Sequence, residues 1–259
     1  PPRSTLFPYT TLFRSESADL EDAAHKIFLS KTFDLATSCS SENSVVIQEA
    51  VFDEMVKKLE ENGGYLCSPE EKVKLGEAMW PDGIHLNKDI IAQNASTIAG
   101  IAGIDLPQDK KFLMVMGEKI GVEDLFSGEK LSIVLTVWKY ASFENAIEYV
   151  EKITAYNGRG HSCGIHTQKE EHIRELGEKA RVSRIMVNQP QCYGNSGNYD
   201  NGMPITLTLG CGTWGNNITT ENIHWKHFLN ITWVAKPIKA VVPDQEKLFG
   251  AHWEKYGRD

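Results

Sequence analysis

The nucleophiles open to this chain are five cysteines, at positions 39, 67, 163, 192 and 211. Cys39 lies in KTFDLATSCSSENS, among small hydroxyl-bearing residues. A reactive thiol needs access, and it needs backbone N–H groups nearby to stabilise a thiolate and an oxyanion; a loop of small residues suits both needs. Cys67, Cys163 and Cys192 read as structural or incidental, because most free cysteines behave as small buried hydrophobes. Cys211, between glycines in LGCGTWG, reads as part of a tight loop. No two cysteines form a CxxC pair, which excludes a common zinc ribbon and a small disulfide scaffold and fits a reducing compartment such as the cytoplasm. GHSCGIH (160–166) offers two histidines beside a cysteine. The stretch reads as a strand, so His161 at its start and His166 within it face opposite sides, which opposes a shared metal. A polar His161 at the mouth of a site is the better use. Gly210, Gly212 and Gly215 spell GxGxxG after the strand-like ITLTL, but NNITT (216–220) makes a poor helix start, so a dinucleotide fingerprint is weak there.

The elements that must position these residues alternate. Residues 18–30 read as a helix and SVVIQ (44–48) as a short β-branched strand. Residues 49–62 form a helix with Val51, Phe52, Met55, Val56 and Leu59 on one face, stopped by Gly63-Gly64. Pro69 opens another helix, with Glu70 and Glu71 in its first turn, and a small-residue-rich helix follows over 89–100. FLMVM (112–116) and LSIVLTVWKY (131–140) are near-continuous apolar strands of the kind buried on both faces. Ser142 caps a helix that stops at Asn157-Gly158; a strand at 163–167, a helix at 169–180 and a strand at 184–188 complete the run. The fold class is therefore α/β, a parallel sheet with crossover helices. Beyond Asn188 come two loops rich in Gly and Asn, at 189–202 and 210–217, then an extended aromatic and β-branched strand at 225–238, suited either to the same sheet or to another chain.

With 27 Lys+Arg against 35 Asp+Glu the formal charge is −8, which opposes a nucleic-acid partner and a polybasic membrane surface. No apolar run approaches the roughly 18–20 residues that span a bilayer, so no membrane partner is expected. The first fifteen residues stand apart: they contain no acidic residue and repeat TLF at 5–7 and 11–13. TLFPYTTLFRS (5–15) resembles the translation of a synthetic sequencing adapter, which implies that residues 1–15 carry neither fold nor function and that the native chain begins upstream of Glu16.

SKTFDLATSCSSENSVVI (30–47), GEKLSIVL (128–135), GRGHSCGIHT (158–167), SRIMVNQP (183–190) and LTLGCGTWGNN (207–217) together resemble the CoA-acylating aldehyde dehydrogenases, in order and at close to the family's spacing. The resemblance extends over residues 16–238. It is similar to the aldehyde dehydrogenase half of bifunctional aldehyde–alcohol dehydrogenases, and nearest to the sulfoacetaldehyde or succinate-semialdehyde type. It implies an aldehyde dehydrogenase-like fold: 16–34 as a remnant of the cofactor-binding domain, 35–222 as the catalytic domain, and 223–259 as an oligomerisation strand with a tail, making a homo-oligomer. It implies that a short, anionic aldehyde is oxidised to its acyl-CoA, with NAD or NADP as cofactor and coenzyme A as co-substrate. Cys39 matches the nucleophile, which would form a thiohemiacetal and then an acyl thioester. Glu129 matches the glutamate that holds the nicotinamide ribose, Leu209 a residue lining the cofactor side, and His161 a site histidine acting as a base toward CoA. The loop 189–202 matches the rim of the aldehyde entrance. Its amides, Tyr193 and Tyr199 suit a short aldehyde ending in sulfonate or carboxylate, with Arg159, Arg184 or the cofactor-binding domain expected upstream of Glu16 supplying a cationic partner. No metal is implied.

Two departures stand out. Ile133 follows EKLS where the family usually has proline, so the turn holding Glu129 is expected to differ. The family's Gly-rich phosphate contacts would lie upstream of Glu16, so this chain is expected to oxidise little aldehyde by itself. The alternatives are an acetylating acetaldehyde dehydrogenase, a hydrolytic aldehyde dehydrogenase, and a non-catalytic structural or binding fragment.

Overall fold

Apolar runs at Phe112–Met116 and Val134–Tyr140 can be buried on both faces only inside a sheet covered by helices on each side, and the fold provides that. The computed structural model describes residues 10–14 and 19–258. Seven strands run β1 (Thr10–Arg14), β2 (Glu42–Gln48), β3 (Gly64–Leu66), β4 (Phe112–Met116), β5 (Val134–Tyr140), β6 (Ser162–His166) and β7 (Ile185–Val187). They form one all-parallel sheet in the order β3-β4-β5-β2-β1-β6-β7. The expected α/β class is what the structure shows.

Alternate side chains of each strand enter opposite layers. Val45 and Ile47 of β2 join a core with α1 (Leu20–Thr32), α2 (Phe52–Glu61), α3 (Pro69–Met79) and α4 (Ala95–Ala102). Val46 between them joins Trp138, Ile165 and the apolar face of α5 (Phe143–Tyr156), with Leu176 of α6 (Glu170–Lys179). Local signals set the helix ends. The Asp19 carboxylate accepts the N–H groups of Glu21 (3.0 Å) and Asp22 (3.1 Å) at the start of α1. Ser68 and Glu71 cap α3 reciprocally.

Several expectations are corrected. The stretch over 89–100 becomes helical only at Ala95, because the Asn94 side chain accepts the Thr97 N–H and caps the helix there. The strand expected from Leu131 starts at Val134, because Leu131 takes a left-handed φ of 41° and turns the chain. The Gly-rich loop 189–202 contains a short buried helix, α7 (Gln191–Asn195). Residues 1–15 are not wholly without fold: the backbone of Thr10–Arg14 pairs with β2 on one side, with a register shift between Thr10 and Thr11, and with β6 on the other. A parallel ladder is made by backbone groups, so this pairing does not bear on where the sequence comes from. The expectations for residues 1–9 and 15–18 lie outside the described residues.

One unit comprises residues 1–224, with α1 in the same unit as the sheet, and a second comprises 225–259. In the second, Trp225–Phe228 is a short turn, and α8 (Gln245–Tyr256) is capped by Asp244. In the single chain residues 229–238, within the stretch expected as an extended strand, carry no regular element, and Trp233, Val234 and Ile238 are exposed. An apolar pattern becomes a strand only where another strand completes its hydrogen bonds, which pattern alone does not supply. No helix among the described residues is long and apolar enough to cross a membrane.

Candidate active site

In an all-parallel sheet every loop that enters a strand arrives at the same edge. Cys39 precedes β2, Glu129 precedes β5, His161 immediately precedes β6 and Arg184 immediately precedes β7. All four therefore gather at the amino-terminal edge, opposite to the carboxyl edge where open α/β sheets usually bind ligands.

The loops that enter β2, β5 and β6 are bent by left-handed backbone. Asp34, Leu35 and Ala36, at φ 48°, 51° and 59°, make a left-handed turn ahead of Cys39, a conformation costing about 1–2 kcal/mol per residue. The Thr37 hydroxyl donates to the Asp34 carbonyl at 2.8 Å and to its carboxylate at 2.6 Å and braces that turn. Backbone strain of this kind clusters at functional sites. Gly160 (φ 90°) precedes His161, and a Cβ there would strike the Cys211 carbonyl and lie 2.6 Å from the Gly215 nitrogen. Glycine is thus required where the 210–217 loop closes over the entrance to β6. That loop opens no helix, only a turn at Thr213–Gly215, so its GxGxxG serves close packing and not a dinucleotide.

The half-buried Cys39 thiol is pushed up from its ordinary range by burial, while Ser40 pulls the other way; next come the Glu129 carboxylate, which raises it, and the Arg184 guanidinium, which lowers it. The thiol is thus held protonated in this environment, and low-pH reactivity is not built in. Burial lifts the Glu129 carboxyl to about 7, opposed by the adjacent Lys130 charge. Among the described residues no donor hydrogen-bonds to that carboxylate. Arg184 is buried, with Nε donating to Asn222 Oδ1 (2.7 Å), Nη2 to the Thr220 carbonyl (3.2 Å) and Nη1 to the His161 carbonyl (3.5 Å). No carboxylate pairs with it among the described ion pairs. Its charge is felt at Cys39, Cys211 and His161. His161 is buried, and burial, then Arg184, depress its imidazole to about 3. Its Nδ1 shares a 2.6 Å hydrogen bond with Ser162 Oγ, and its Nε2 has no partner among the described residues. His166 is five residues further along β6, about 16 Å away at strand rise, too far to share an ion.

Of the residues singled out from sequence, Cys39, Glu129 and His161 thus come to one edge, with Arg184 among them. Leu209 is half-buried and reaches this group only indirectly, through an antiparallel bridge to Asn222, the residue that holds Arg184. Cys211, read as loop packing, also lies within the field of Arg184 and Cys39. The expected entrance loop packs beside the nucleophile loop: Cys192 N–H donates to Ser30 Oγ at 2.9 Å, and its thiol interacts with Ser38. Tyr193 stacks at a tilt on Phe33, while Tyr199 is fully exposed. Sequence reasoning missed the two buried lysines, Lys31 and Lys130; their only signal was a lysine beside a run of apolar residues.

No protein-family model matches the chain. It is 48% identical over 248 residues to the acylating sulfoacetaldehyde dehydrogenase of Bilophila wadsworthia, covering 94% of this chain and 53% of that protein. It is also 48% identical over 240 residues to a sulfoacetaldehyde dehydrogenase of an Acholeplasma species, covering 91% of this chain and 49% of the relative. Among solved structures, an acetylating aldehyde dehydrogenase from Geobacillus thermoglucosidasius superimposes with a TM-score of 0.86 at 34% identity, over 92% of this chain and 52% of that one. The chain spans about half the length of the relatives it matches.

Proposed function

Because the chain is a homologue of the acylating aldehyde dehydrogenases over about half of their length, we propose that its amino-edge site serves the conversion of a short, anionic aldehyde to its acyl-CoA, with Cys39 as the nucleophile. The observation that carries this reading is the convergence of Cys39, Glu129, His161 and Arg184 from four strand-entry loops. The Cys39 sulfur adds to the aldehyde carbonyl carbon and gives up its proton; loss of hydride leaves an acyl thioester. The CoA thiol then attacks that carbonyl, and Cys39 leaves as the thiol. A nicotinamide coenzyme, NAD or NADP, is the hydride acceptor when bound. Glu129 fits such a group: a half-buried carboxylate with no donor among the described residues can accept from ribose hydroxyls and hold a ring against the sulfur. Leu209 lines the same side. His161 stays neutral at any working pH, so it supplies a hydrogen-bonding imidazole beside the incoming thiol, and it is a weak base.

Arg184 supports this substrate class. A buried guanidinium that, among the described residues, bonds to neutral acceptors leaves positive charge for a sulfonate or carboxylate such as that of sulfoacetaldehyde or succinate semialdehyde. Arg159, the other cation considered, is exposed. Residues 223–259, with their exposed Trp233, Val234 and Ile238, are proposed to pair subunits.

The acyl-transfer half of the reaction can be run backwards without a nicotinamide. Sulfoacetyl-CoA offered to the chain should place a thioester on Cys39, releasing CoA-SH, as read by peptide mass spectrometry. Cys39→Ala should remove the label. Labelling at Cys211 instead, or none at all, overturns the assignment.

A further inference from the structure

Lys130 is fully buried, yet among the described residues no carboxylate pairs with it. A lone buried ammonium costs several kcal/mol unless its protons are taken up. Here Nζ donates to the carbonyls of Phe126 (2.7 Å) and Gly128 (2.8 Å), and the Thr136 hydroxyl donates to the same Phe126 carbonyl at 2.6 Å. Burial first, and the nearby Lys31 charge second, push this ammonium well below the ordinary lysine range. The segment 126–130 is thus curled around one nitrogen. Leu131 closes the curl in left-handed backbone, with its carbonyl accepting from Ala92 N–H at 3.2 Å. This is how the turn is held with Ile133 where proline was expected.

A second bond fixes where the curl sits. Asn43, the second residue of β2, accepts the Lys130 backbone N–H on its Oδ1 at 3.1 Å and donates from Nδ2 to the Ser41 carbonyl at 3.4 Å. One buried amide therefore joins the loop that carries Cys39 to the turn that carries Glu129, across 87 residues of sequence. The preceding residue is held from the other side: the Glu42 carbonyl accepts from the fully buried Lys31 ammonium at 2.8 Å. The start of β2 is clamped between two buried lysine-bearing elements.

We propose that Asn43 and Lys130 are positioning residues that set Glu129 at a fixed separation from Cys39. The proposal rests on the reading of those two as cofactor-holding carboxylate and nucleophile. Both braces are buried, so they act through Glu129 and the start of β2. Their effect is that hydride acceptor and acyl sulfur are aligned before anything binds, which is where positioning contributes most to rate.

Cys39 alkylation by iodoacetamide in the 259-residue chain, followed by peptide mass spectrometry across about pH 6.5–10, reads that separation. The charged groups acting on the thiol are Glu129 and Arg184, with Cys211 close by. Glu129→Gln should lower the alkylation midpoint by roughly half a pH unit, which is about threefold faster reaction below the midpoint. Asn43→Ala should lower it by a comparable amount, and that effect should vanish in the Glu129→Gln background. An unchanged midpoint in Asn43→Ala, or an undiminished shift in the double variant, overturns the proposal. Hydrogen exchange in the unsubstituted chain keeps the test decisive if Asn43→Ala does not fold. The Lys130 amide should be protected as strongly as the β5 amides, and fast exchange there equally overturns it. None of these measurements uses aldehyde, nicotinamide or CoA, so they stand or fall apart from the acyl-transfer test.

Discussion

Glu129→Gln should stabilise the chain above neutral pH and do nothing below pH 4.5. Burial lifts the carboxyl from 4.5 to about 7, so the folded chain holds a proton that the unfolded chain has released across that window. Stability attributable to this group is fully present below the unfolded value and is lost as pH rises through the folded one. At about 1.4 kcal/mol per pH unit, the charged Glu129 destabilises the fold by about 3 kcal/mol once the pH exceeds 7. Glutamine has the same shape and no charge, so it removes that cost. Urea unfolding at pH 4.5 and pH 8.5, followed by far-ultraviolet circular dichroism, measures the difference. With a slope of about 2–3 kcal/mol per molar for a chain of this size, the variant midpoint should lie about 1 M higher at pH 8.5 and should coincide with the parent at pH 4.5. A carboxylate kept at such a cost is expected where function needs it. Coincident midpoints at pH 8.5, or a gain equal at both pH values, would refute the reasoning, since only a buried, unpaired carboxylate gives a pH-dependent gain.

Gly160→Ala should destabilise by about 3 kcal/mol, read as a lowered urea midpoint, because the new Cβ meets the Cys211 carbonyl and the Gly215 nitrogen from left-handed backbone. The His161 imidazole should show no titration between pH 5 and 8 in its nuclear magnetic resonance ring signals, since its protonation is depressed to about 3; a mid-range titration would refute its burial beside Arg184. Sulfoacetyl-CoA should label Cys39 several-fold faster than hexanoyl-CoA, and Arg184→Met should abolish the preference; equal rates would refute the anionic-substrate reading. Cys163→Ala should leave the labelling of Cys39 intact, because Cys163 is fully buried in the sheet core.

Much of the fold was legible because its signals are local. Apolar runs at 112–116 and 131–140 declare strands buried on both faces; Pro69 and Ser142 open helices by chemistry; and the alternation of strand and helix forces a parallel sheet. Cys39 and Glu129 were recognisable as members of short motifs, without any knowledge of what lies beside them. What the sequence could not decide depends on charge and dielectric across the sheet edge. Arg184 and Arg159 are equal candidates until Asn222, Thr220 and His161 are seen to hold Arg184 without a carboxylate among the described residues. Lys130 reads as a surface charge in GEKLS, yet it is fully buried because the carbonyls of Phe126 and Gly128, bent into one turn, take the place of water around its ammonium, and the Asn43 amide, distant in sequence, takes its backbone N–H. The stretch at 225–238 carries no regular element over 229–238 in the single chain for the converse reason: a strand is a relation between two segments, and no single segment specifies its partner. Periodicity and capping act within a few residues of each other and can be read along the chain. Desolvation and pairing act between residues that only folding brings together, and they decide what surrounds Cys39, Glu129, His161 and Arg184.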